Sequence, residues 1–254
     1  MRPYILAESN YKDLSLEKPD LVVLPWGATE AHNYHLPYAT DIIEADFVAA
    51  EAARKAYEKG AKVSVLPTVP FGVNTGQSDV ILDINIMPST QKAIIQDIVT
   101  VLDKQGIEKL LILNSHGGNN FKPLVREVGY HFPNVFIAFC SWFHALDKNE
   151  YFDIPDGDHA DEMETSILLH LTPELVKPLE EAGDGAAKKW KVDALNESWA
   201  WAERQWTSVT EDTGIGDPKM ATAEKGERFL SDVTDKIANL MLDLSFADIK
   251  NMYQ

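Results

Sequence analysis

Four short apolar runs punctuate the chain: Leu21 to Leu24, Val63 to Leu66, Leu110 to Leu113 and Val135 to Phe139. They are rich in β-branched or aromatic residues and bounded by Pro, Gly or Asn, the pattern of parallel strands buried on both faces. Between them the apolar positions take up a helical spacing, over Ile42 to Tyr57, Thr90 to Gln105 and Phe121 to His131. Strands alternating with helices predict βαβ units, and therefore an α/β fold with a mostly parallel central sheet covered on both faces. A fifth run, Val80 to Ile86, alternates only in part and reads as an edge strand or hairpin arm. Later helices are expected from Asp161 to Leu171 and from Ala223 to Leu244.

The stretch from Ala182 to Pro218 has no clean period. It holds Trp190, Trp199, Trp201 and Trp206 among polar residues, which fits a covering loop, an oligomer contact or a helix packed on its own domain. No internal repeat or low-complexity linker interrupts the chain, so a single domain spanning 1–254 is expected.

Charge narrows the partners. With 23 Lys and Arg against 40 Asp and Glu, the net charge is -17, which disfavours nucleic acid and anionic membranes. Cys140 is the only cysteine, so no internal disulfide can form. No apolar run approaches the roughly 18 residues of a membrane span. The start, Met1 to Tyr4, lacks a signal-peptide pattern. A cytoplasmic protein acting on a small molecule is the expectation.

Open α/β sheets bind ligands beyond the carboxyl ends of their strands, and three polar clusters fall in suitable places. The first runs from Gly27 to Asp41. Glu30 and His32 are two residues apart, so in an extended segment both side chains point the same way, a carboxylate and an imidazole suited to zinc or manganese. Asp41 opens the next helix; it either turns back toward that point or merely caps the helix, since Asp41 and Glu44 have capping-box spacing. The second cluster is Asn114-Ser115-His116-Gly117-Gly118-Asn119-Asn120, where two glycines allow close backbone approach. The third runs from Asp156 to Ser166. If it is helical from His159, that residue and Glu162 share a face at i and i+3, with Glu164 off it.

Together these clusters resemble the creatininase (creatinine amidohydrolase) family, whose members read approximately Gly-Ser-x-Glu-Gln-His-Gly-x-His-Leu-Pro-x-x-Thr-Asp, Asn-Gly-His-Gly-Gly-Asn and His-Ala-Gly-Glu-x-Glu-Thr-Ser. Here they stand as Gly27 to Asp41, Asn114 to Asn119 and His159 to Ser166, followed by Gly214-Ile215-Gly216-Asp217-Pro218. The resemblance implies a three-layer α/β/α sandwich, commonly a homohexamer, carrying two divalent metal ions, zinc or manganese with iron(II) as a third candidate. It places Glu30, Asp41 and His116 on one metal and His32 with Asp41 on the other. Glu162 is the expected fifth ligand because Gly118 stands where creatininase has a Glu; Glu164 is the alternative.

The implied chemistry is a metal-dependent amidohydrolase, in which a hydroxide bridging both metals cleaves a non-peptide C–N bond of a small cyclic amide, lactam or formamide. His159 would move the proton, with Asp158 tuning it and the Gly117 and Gly118 amides steadying the oxyanion. His35, Asn74 and Trp142 are assigned to the substrate. The segment Phe71 to Gln77 departs from the family's Tyr-Gly-x-Ser-x-Glu-His, which argues for a substrate other than creatinine. Two other readings stand beside this one: a Ser115 nucleophile next to His116, disfavoured because no Gly-x-Ser-x-Gly elbow is present, and a non-catalytic, metal-stabilised binding or assembly protein.

Overall fold

The computed structural model describes residues 2–253. Four parallel strands, β1 (Leu21–Trp26), β2 (Val63–Val65), β3 (Lys109–Asn114) and β4 (Phe136–Ser141), form one sheet in the order β2-β1-β3-β4. Val22 pairs with Leu110 and Lys109 with Phe136. The helices are α1 (Tyr11–Leu16), α2 (Thr40–Glu58), α3 (Pro88–Gln105), α4 (Phe121–His131), α5 (Glu162–Leu171), α6 (Asp193–Asn196), α7 (Trp206–Val209) and α8 (Ala223–Phe246).

The alternation of strand side chains builds two cores. Leu21, Val23, Leu111 and Leu113 pack against Val48 and Ala52 of α2, Ile167 of α5 and Phe229 and Val233 of α8. Their neighbours Val22, Leu24, Leu110 and Ile112 face the other way, onto Ile95 and Val99 of α3 and Phe121 and Val128 of α4. The result is a three-layer α/β/α sandwich. The first layer is tight because small residues line it: Ala49, Ala52, Ala53 and Ala56 of α2 are fully buried. At Gly226 of α8, a Cβ would come within 2.1 Å of the Ser166 carbonyl oxygen, so α5 and α8 need glycine there.

Two expectations are corrected. Val80 to Ile86 forms no strand; it meets its neighbours only through isolated bridges, Thr29 with Ile84 and Gly72 with Asn85. Its central Asp83 instead turns inward to accept the Ala31 amide at 2.6 Å, and Leu82 adopts φ +62°. The third polar cluster is not helical from His159 either. His159 pairs as an isolated bridge with Ile215, Ala160 has φ +50°, and α5 begins at Glu162 with Asp161 capping it through the Met163 and Glu164 amides. No helix among the described residues is long and apolar enough to cross a membrane.

Candidate metal centre

The site lies beyond the carboxyl ends of β1 and β3. Leaving β1, Gly27 lets the chain press against the start of α2, where a Cβ would sit 2.9 Å from the Asp41 carbonyl carbon. Asp41 therefore faces the loop that carries Glu30 and His32. It does not cap α2: the N-cap is Ala39, with no side-chain capping bond. Leaving β3, Asn114 braces the next turn, its Oδ1 accepting the His116 amide and its Nδ2 donating to the His116 carbonyl.

Glu30, His32, Asp41, His116 and His159 are all buried and converge. Glu30 Oε1 lies 2.9 Å from His116 Nδ1, and Asp41 Oδ2 lies 3.0 Å from the same nitrogen. Asp41 Oδ1 lies 3.0 Å from His32 Nε2, and Glu164 Oε2 is 3.9 Å from that nitrogen. Three triads thus have donor atoms within 4.8 Å of one another: Glu30, Asp41 and His116; His32, Asp41 and Glu164; and Glu30, His32 and His159.

Each imidazole is held by its outer nitrogen. His116 Nε2 donates to the Val73 carbonyl (3.1 Å), His32 Nδ1 to the Glu30 carbonyl (3.1 Å) and His159 Nε2 to the Ala31 carbonyl (2.7 Å). A carbonyl oxygen only accepts, so these bonds fix the tautomers of the neutral rings and turn their lone pairs inward, as metal-ligating histidines are usually oriented. Inside, His32 Nε2 and Asp41 Oδ2 have no hydrogen-bond partner although both are buried. Orphaned buried lone pairs of this kind are costly and need explanation. A divalent cation on either side of Asp41 satisfies them, so the donor set fits two such ions.

The crowding of charge around Asp41 also shifts how these groups hold protons. Burial opposes charge on Glu30, yet His116, His159 and His32 together hold its carboxyl well below the usual range. Burial likewise opposes a proton on His32, but Asp41 outweighs it and raises the imidazole to about 10. Burial and then the charge of His32 push His159 below its ordinary value. Burial, with Asp161 and Asp41 adding to it against the pull of His32, raises Glu164 to about 8.

Glu162 is not in the cluster. Side chains two apart on a helix point about 200° away from each other, so only one of Glu162 and Glu164 can face Asp41, and the start of α5 at Glu162 selects Glu164. The Glu162 carboxylate instead accepts the Asp153 and Ile154 amides and pairs with Lys225 at 2.5 Å. Asp158 does not touch His159; it pairs with Arg204 at 3.0 Å. His35 is buried away from the cavity, its Nε2 bonded to Thr165 Oγ1 at 2.9 Å. Trp142 is a fully buried core residue whose Nε1 donates to Ser115 Oγ, and Ser115 is itself buried outside the lining of the cavity. Asn74, Gly117 and Gly118 do line the cavity above the cluster.

That cavity measures about 600 Å³ and is roofed by the tryptophan-bearing segment, through Trp201, Glu203, Arg204 and Trp206. The segment is therefore a cover over the site. Arg204 stacks on the Trp206 ring at 4.6 Å, and Trp206 meets His159 edge-on at 5.3 Å. Sequence reasoning left Arg204 and Gln77 unnamed as site residues, and it held Glu164 only as the alternative to Glu162. The tryptophan clustering was the one signal for the roof; for Gln77 it was the departure of the Phe71 to Gln77 segment from the family pattern.

Residues 6–241 match the family model for creatininase, creatinine amidohydrolase. The chain belongs to the creatininase family. Within this family of hydrolases, a provisionally named creatinine amidohydrolase from Bacteroides fragilis superposes with TM-score 0.92 at 44% identity, over all of both chains. A mycofactocin precursor peptide peptidase from Mycolicibacterium smegmatis is 26% identical over 86% of this chain and 83% of its own. Creatininase itself shares the fold: its manganese form has TM-score 0.77 at 20% identity, covering 94% of this chain and 97% of its own, and a mutant is of zinc–zinc type.

Proposed function

We propose that this creatininase-family member is a two-metal amidohydrolase cleaving a C–N bond of a small polar substrate, a cyclic amide, lactam or formamide. The observation that carries this reading is the inward convergence of three carbonyl-anchored histidines and two further carboxylates, Glu30 and Glu164, on Asp41. Glu30, Asp41 and His116 would hold one cation; His32, Asp41 and Glu164 would hold the other. Zinc and manganese suit a mixed imidazole–carboxylate set. When bound, such a pair supplies an acidified water and a polarised carbonyl.

The chain's own residues supply the rest. His159 keeps its Nε2 proton on Ala31, so Nδ1, 3.7 Å from Glu30 Oε1, is the free nitrogen at the cavity. Its lowered proton affinity keeps it neutral near pH 7, ready to accept a proton at Nδ1 and return it to the departing nitrogen. The Gly117 and Gly118 amides, at the turn before α4, are placed to receive the oxyanion. Trp201 and the buried Trp206 line the cavity on its roof side, while Asn74 forms part of its wall.

The polar cavity, with Asp158, Glu203 and Arg204 at its mouth, favours a substrate bearing several polar groups. The test is turnover of a panel of lactams, formamides and short peptides by metal-loaded protein, before and after chelation. Chelator-sensitive release of an amine from a non-peptide amide supports the reading. Cleavage of peptides alone would move this chain toward the peptidase, and no turnover across the panel would favour a metal-stabilised binding protein. The remaining expectations, a single domain, a cytoplasmic setting and a hexamer, belong to this same reading; size-exclusion light scattering tests the last.

A further inference from the structure

One buried polar side chain at the site has no part in the scheme above. Gln77 ends the single turn Thr75–Gln77 and is 5% exposed. Its Nε2 donates to Glu30 Oε2 at 2.7 Å. Because a carboxylate oxygen only accepts, the amide must present its nitrogen to Glu30. Its own Oε1 is left buried without a partner, so among the described residues Glu30 is the contact that holds this side-chain amide.

The consequence for Glu30 is a division of labour between its two oxygens. Oε2 is occupied by Gln77, whereas Oε1 faces His116 Nδ1 at 2.9 Å and His159 Nδ1 at 3.7 Å. The terminal torsion of a glutamate is otherwise broad, and a carboxylate free to turn could offer a cation either oxygen or both. We infer that Gln77 is a positioning residue that locks Glu30 as a one-oxygen ligand of the cation shared with Asp41 and His116, an inference that rests on the two-metal reading. A neutral amide suits this task. Lys or Arg would neutralise the ligand and compete with the cation, and an acid would repel it.

The lock acts on one site only. Glu164, on the other cation, is held separately by the Ala160 amide. The turn carrying Gln77 is itself clamped by the roof: Thr75 Oγ1 donates to Glu203 Oε1 at 3.0 Å, and a Cβ on Gly76 would come within 2.1 Å of the Arg204 carbonyl oxygen. Roof and metal ligand therefore meet through three residues.

The experiment is calorimetric titration of chelator-stripped protein with manganese(II), comparing wild type with Gln77→Met and Gln77→Leu. Each variant is also placed in a Glu164→Gln background, which leaves the Glu30 site, and in a His116→Ala background, which leaves the other. Loss of an outer hydrogen bond to a ligand typically weakens metal binding by roughly 10- to 100-fold. That loss is expected in the first background, with less than about a threefold change in the second. The intact second site serves as the folding control. Equal affinity with and without Gln77, or parallel weakening of both sites, overturns the inference while leaving the two-metal reading in place. Failure of wild type to bind manganese(II) at all overturns both.

Discussion

Asp41 Oδ2 and His116 Nδ1 lie 3.0 Å apart, yet Asp41 Oδ2 has no hydrogen-bond partner. The His116 ring gives its Nε2 proton to Val73, so in the neutral ring two lone pairs face each other across the gap. On the other side, Asp41 Oδ1 faces His32 Nε2 in the same way. On the proposed two-metal reading, a carboxylate set between two inward-turned imidazoles would bridge the cations.

The first prediction separates two glutamates. Glu164→Gln should reduce bound metal from two ions to one and abolish most turnover. Glu162→Gln should leave metal content unchanged but destabilise the fold by about 1–3 kcal/mol, because buried donors and Lys225 lose their charged acceptor. Elemental analysis and thermal unfolding of the two variants check this; one ion in Glu162→Gln would reverse the assignment.

His159→Gln should retain both metals and lose roughly 10²- to 10⁴-fold in kcat, the usual range for a positioned acid–base group. Metal content and kcat measured on one preparation separate this from a ligand's role. Loss of an ion would make His159 a ligand of the third triad.

Asp158→Asn should leave the pH–rate profile in place, because the carboxylate pairs with Arg204 and not with His159. Its effect should fall on KM, through an Arg204 released at the mouth of the cavity. A shift of the acidic limb by one pH unit would restore Asp158 to the tuning of His159.

His35 gives a stability signature in acid. Burial, and then the charge of His32, lower it from an ordinary 6.5 to about 4. The native state thus binds the proton more weakly than the unfolded chain does. Stability conferred by neutral His35 is complete above 6.5, falls as pH drops from 6.5 to about 4, and loses nothing further below that. Denaturant unfolding at a series of pH values checks this, and His35→Gln should flatten the slope in that window.

Much of the fold was legible because strand and helix periods are local properties. The four apolar runs became β1 to β4 with ends shifted by a few residues, and α2, α3 and α4 fall where the helical spacing put them. The gathering of Glu30, His32, Asp41 and His116 was implied by the family resemblance, whereas the residues alone left Asp41 open between turning inward and capping its helix. What the sequence hid was directional. Whether Glu162 or Glu164 faces Asp41 depends on where α5 starts, and that is set by Asp161 capping and by the pairing of His159 with distant Ile215. Trp142, directly after β4, was assigned to the substrate, but packing on Phe229 and the bond to Ser115 show it to be core. Gln77 reaches Glu30 from 47 positions away, and no local pattern records such a contact.

The most direct test is anomalous X-ray diffraction from crystals grown with zinc and with manganese, recorded at each metal's absorption edge. Two peaks per chain are predicted, flanking Asp41 at the roughly 3.5–4 Å separation of two-metal sites, with Glu30 and His116 on one and His32 and Glu164 on the other. No peak within reach of Asp41, or a single peak that leaves His32 or His116 uncoordinated, would contradict the two-metal centre.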